Sequence, residues 1–182
     1  MAESGAKCGK KPTWKDAKVR LESFDRHGLL GLIQHLYNAD QANQAFIHKR
    51  LDLGGDLLEP FKKTIENSLF PSGVGRDPSV PLAKQAVSQY RKTVGVGIGL
   101  AELTVFYCEI ATDFGNRGGY EMPSYYDALC SMFEQALKAI VTLPAAEQQP
   151  FVERLRSVQR TVEFGYGVDS YMDWLLRKYV AK

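Results

Sequence analysis

At 182 residues, with 45% hydrophobic and 24% charged side chains, the chain has the size and composition of one globular domain, which excludes a disordered or fibrous polypeptide. Net charge is +2, but residues 1–20 hold six basic side chains against two acidic ones, a local +4 that leaves −2 for the remainder. With so weak an overall field, a pI near 8.4 and no recognisable reading motif, nucleic-acid binding is not expected.

Residues 1–12, MAESGAKCGKKP, are small and basic and read as a disordered, solvated arm, leaving residues 13–182 as a single helical domain. No apolar run follows that basic start, so no secretory signal is expected, and nowhere do about 18 apolar residues follow one another as a membrane span requires. The three cysteines, Cys8, Cys108 and Cys130, lie far apart. An odd number without a close pair argues against a disulfide framework or a zinc ribbon and suits reduced thiols in the cytoplasm.

Thr13, with Asp16 three residues on, predicts a capped helix over 13–23. Asp25 caps a second, whose Leu29, Leu32, Ile33 and Leu36 recur at helical spacing as a core-facing stripe. Asp40 caps a third, with Ala42, Ala45 and Phe46 on one face. Gly54, Gly55 and Asp56 then break the chain before a fourth helix with Leu58, Phe61, Ile65 and Leu69 inward. Three prolines and two glycines make 70–81 a loop. Pro81 opens a fifth helix with Leu82, Ala86, Val87 and Tyr90 on a common face.

Gly95, Gly97 and Gly99 predict a flexible connection to a sixth helix over 100–114, which Gly115, Gly118 and Gly119 should end. No strand precedes the glycines and no Gly-Lys-Ser/Thr follows, so they do not make a phosphate loop. A seventh helix runs from Pro123 to Leu143 and an eighth over 145–164, with Pro150 as a second start or kink. Gly165-Tyr166-Gly167 breaks the chain again, and Asp169 caps a ninth helix carrying Met172, Leu175, Leu176 and Tyr179. No segment alternates with period two between hairpin turns. The expectation is an all-α fold of about nine helices stacked as antiparallel hairpins, either an irregular α-α superhelix or an orthogonal bundle.

The sixth helix is apolar on two opposing sides, as a helix packed centrally would be, yet Glu102, Glu109 and Asp113 align between those sides as one acidic stripe. Aligned carboxylates can hold a divalent cation, work as acid and base, or meet arginines. The last is favoured, with Arg91, Lys92 or Arg117 as candidate partners, since ion-pair networks align charges in the same way. Around the glycine-rich turn that follows, Tyr120, Tyr125 and Tyr126, joined by Tyr107 on the sixth helix, are candidates for an interaction surface. His27 and His35 are about 12 Å apart along one helix and cannot share an ion. Cys108 reads as a buried, inert thiol. No catalytic residue and no cofactor is predicted.

The segments SFDRHGLLGLIQHLYNADQANQAFIHKR, AKQAVSQYRK, LAELTVFYCEIATDFG, YYDALCSMFEQAL and FGYGVDSYMDWL resemble an uncharacterised family of small, all-helical bacterial proteins. The resemblance covers most of the chain after residue 12 and implies a bacterial, cytosolic helical domain. It carries no activity and no functional residues. The expected function is therefore a non-enzymatic protein-interaction module that could form a homodimer, with a carboxylate-based metal-binding protein or enzyme on Glu102, Glu109 and Asp113 as the alternative.

Overall fold

The computed structural model describes residues 11–51, 57–71, 77–118 and 122–180, with the backbone alone for residues 41, 42, 45, 49 and 118. The basic arm expected over 1–12 and the break at Gly54–Asp56 lie almost wholly outside them. The described residues form nine helices and no strand: α1 (Trp14–Leu21), α2 (Arg26–Ala39), α3 (Gln41–Leu51), α4 (Glu59–Leu69), α5 (Val80–Thr93), α6 (Ile98–Gly118), α7 (Pro123–Ile140), α8 (Ala145–Thr161) and α9 (Val168–Val180). The fold is all-α. None of these helices is long and apolar enough to cross a membrane.

Local chemistry sets the helix starts. The Asp16 carboxylate accepts both the backbone N–H and the hydroxyl of Thr13 at 2.8 Å, closing the first turn of α1. Asp25 Oδ1 accepts the Gly28 N–H at 2.7 Å and caps α2. Prolines fill the first turns of α4, α5 and α7, where a missing N–H costs nothing.

The core is built from α4 to α9. Phe61, Ile65 and Leu69 of α4 meet Ala83, Ala86, Val87 and Tyr90 of α5; Leu82, expected inward, is exposed, and Ala83 takes its place on the buried face. Helix α6 packs against α4, α5, α7 and α8, as a central helix should, and α9 closes over α7 and α8. It also runs past its expected end, because Gly115 is a site of close approach rather than a terminator. A Cβ there would stand 2.8 Å from the Phe164 ring, so glycine lets the segment after α8 lie against α6. Gly99 plays the same part at the other end, since a Cβ would meet the Tyr90 side chain. The turn before α6 is tight, with Gly95 and Gly97 at φ 110° and 130°.

Helices α1 to α3 differ. No residue from 11 to 51 with a described side chain is buried. Helix α2 packs chiefly on α3, which in turn touches α5, so the first three helices are held to the remainder at α3.

Candidate functional site

On α6 the seven-residue separation of Glu102 and Glu109 places both carboxylates on one flank, two turns apart. That flank faces α8 and α4. Arg154 of α8 fills the gap between them: its Nε donates to Glu109 Oε1 and its Nη2 to Glu109 Oε2, both at 2.7 Å, while Nη1 reaches Glu102 Oε2. Lys62 of α4 lies 2.6 Å from Glu102 Oε1. Burial drives the Glu102 carboxyl upward, but hydrogen bonds from Arg154 and Lys62 outweigh it and hold the group below the usual glutamate range. The two carboxylates on Arg154 keep that guanidinium charged.

The partners differ from those expected. Arg91 donates to Gln135 at 3.4 Å instead, and only Asp113 meets a predicted cation, Arg117, one turn along the helix. The cations for Glu102 and Glu109 come from 40 or more residues away, a separation that helical spacing cannot reveal. Among the described residues no group of three or more His, Cys, Asp or Glu side chains is arranged to hold a metal. A cation here would have to displace Arg154.

The tyrosines predicted to form a surface are mostly interior. Tyr107, Tyr125 and Tyr126 are all buried, and Tyr120 lies outside the described residues. Tyr125 donates its hydroxyl to the Ala111 carbonyl at 2.8 Å, which satisfies the polar tip and frees the ring for packing against Phe114. Burial pushes the Tyr107 hydroxyl and the Cys108 thiol up, and raises Cys130 to about 11, so neither thiol is an activated nucleophile.

The exposed apolar surface lies instead at the other end of the chain. Leu29, Ile33 and Leu36 follow one another at spacings of four and three on α2, the pattern of an interhelical seam. Leu30 is 56% exposed, Ile33 46% and Leu36 50%. Trp14, Val19, Phe24, Phe46 and Leu51 extend the same character across α1, the turn that follows it, and α3. Single exposed apolar residues are ordinary, but nine large ones within 38 residues of sequence are not. The periodicity identified the α2 stripe correctly as a helix face, yet Leu29, Ile33 and Leu36 of that stripe are exposed among the described residues. One signal in the sequence points to this: glycines at 54 and 55 separate these helices from the stripes that build the core.

Comparison with protein-family models, with curated proteins and with solved structures finds no match to this chain.

Proposed function

We propose that the chain is a non-enzymatic, self-associating interaction module whose contact surface is the apolar face of its N-terminal helices, centred on α2, with a second copy of the chain as the occupant. The observation that carries this reading is an exposed seam of leucine and isoleucine on a helix that has no fully buried residue. A helix of 14 residues sits where isolated helices are marginal in water, roughly 12–15 residues, so a covering partner supplies what the core does not.

A second copy fits because the seam is self-complementary. With two α2 helices antiparallel, Leu29 lies near the partner's Leu36, Ile33 lies on the two-fold axis, and the basic start at Arg26 meets the acidic end at the partner's Asp40. The carboxylates of the sixth helix and the two described thiols are not set up for a reaction. The carboxylates of α6 are neutralised by Arg154 and Lys62, and burial keeps the thiols protonated.

Analytical ultracentrifugation of the full chain tests the proposal. Wild type should sediment as a dimer at micromolar concentration, and Ile33→Glu and Leu36→Glu should sediment as monomers with helical content retained. Wild type that stays monomeric at ~100 μM, or that floats with anionic vesicles as a monomer, overturns it.

A further inference from the structure

A cavity of about 630 Å³ opens between α7 and the start of α9, away from the helices proposed for self-association. Its walls include three tyrosines, Tyr126, Tyr166 and Tyr171, and two carboxylates, Asp127 and Glu134. No lysine or arginine is among the described residues that line it. A volume of this size lies within the roughly 300–1,000 Å³ typical of small-molecule sites.

The aromatic wall is ordered by stacking. Tyr126 lies between Phe164, with ring centroids 4.5 Å apart, and Tyr166, at 5.2 Å, each at an interplanar angle of 24°. Both faces of Tyr126 are therefore occupied, and the outer face of Tyr166, a residue 64% exposed, is the one open to a ligand. Tyr171 is fixed in the same manner against Trp174, at 5.5 Å. Tyr166 is also held at φ 56°, between Gly165 at 76° and Gly167 at 69°. A bulky side chain in the left-handed region is strained, where a third glycine would sit without steric conflict. The ring is thus placed at the rim against the preference of its own backbone.

The two charged side chains among the described lining residues are both carboxylates. Tyr179, Lys138 and Lys178 converge on a single oxygen of Glu134, Oε1, so that carboxylate is partly neutralised. Asp127 makes no ion pair or hydrogen bond among the described residues. Electron-rich ring faces and a carboxylate with no cation among the described residues, around a hollow of mixed polar and apolar lining, select a cation with a hydrocarbon body. We propose that this cavity binds a small organic cation of the alkylammonium or quaternary ammonium class, with Tyr166 and Tyr171 against its hydrocarbon shell and Asp127 as the counter-charge.

The test is a two-dimensional NMR titration of the full chain with choline and, in parallel, with its uncharged carbon isostere, in which a tert-butyl group replaces trimethylammonium. Choline should produce saturable shifts confined to residues 123–134 and 165–171, and the isostere should bind at least about threefold more weakly. Asp127→Asn and Tyr166→Leu should each reduce choline affinity by about threefold to tenfold with the remainder of the spectrum unchanged. Tyr166→Gly relieves the backbone and should fold at least as well as wild type, yet lose choline affinity to a similar extent. Equal binding of choline and the isostere overturns the proposal by leaving only an apolar groove. Absence of saturable shifts, or choline affinity unchanged in Asp127→Asn and Tyr166→Gly, overturns it as well.

Discussion

Arg154 meets two carboxylates that share one flank of α6, and a planar guanidinium is the side chain whose fork can satisfy both together. Lysine in its place would reach only one. Because Arg154 and Glu109 are each about a third exposed, the pair is worth less than a fully buried one, and Arg154→Met should cost about 1–3 kcal/mol in urea unfolding at pH 7. Adding Glu109→Gln should restore part of that, since much of the loss comes from a carboxylate left facing Glu102 without a cation. The pH dependence follows from the lowered folded-state pKa of Glu102. Its stabilising contribution is complete above the unfolded glutamate value of about 4.3 and is lost as pH falls through the folded value. The difference between wild type and Arg154→Met should therefore narrow as unfolding is repeated from pH ~5 down to pH ~3. A difference that stays constant over that range would remove the network from the account of stability. The stripe itself was legible from residues seven and four apart. Its partner was not, because α8 approaches α6 through tertiary packing that no local spacing encodes.

For the helices, the sequence carried type better than destination. Capping at Thr13/Asp16 and Asp25, prolines in first turns, and period-3.6 stripes all correspond to helices in the structure. Gly115 read as a stop and instead lies within α6, because a glycine that accommodates the Phe164 ring looks the same in sequence as one that ends a helix. Leu82 read as core and is exposed, one residue off the buried face that Ala83 occupies. The stripe on α2 shows the same limit more strongly, since amphipathicity says that a face must be covered and not by what. Every residue of the buried core lies at Phe61 or later, so the first two helices contribute little to the stability of the chain by itself. Removing residues 1–40 should leave the melting temperature of a dilute sample within about 4 °C of wild type, a change below ~1 kcal/mol. Calorimetry at low concentration decides this. A truncated chain that melts without cooperativity would show that α1 and α2 belong to the folding unit.

At the scale of the whole molecule, the orientation of the two copies is open to a sharper test than their number. In an antiparallel pair centred on Ile33, each seam position lies against a different residue, and only the centre meets itself. Position 26 of one copy would lie about 20 Å from position 26 of the other, given 1.5 Å of rise per residue. In a parallel pair every seam position would meet its own counterpart. Single cysteines introduced on a Cys8→Ser background separate the two, because a disulfide needs Cα atoms within roughly 7 Å. Cys108 is buried and Cys130 half-buried, so neither competes strongly for oxidant. Under mild oxidation Ile33→Cys should yield a covalent dimer on a non-reducing gel, while Leu29→Cys and Leu36→Cys should each remain uncrosslinked alone. Mixing the latter two should then give the crosslinked heterodimer, since Leu29 of one copy lies near the partner's Leu36. Efficient crosslinking of Leu29→Cys and Leu36→Cys separately would establish a parallel pair and break the proposed match between Arg26 and the opposite end of the helix. Failure of all three, in samples shown to be dimeric, would move the contact away from α2 to the apolar side chains of α1 or α3.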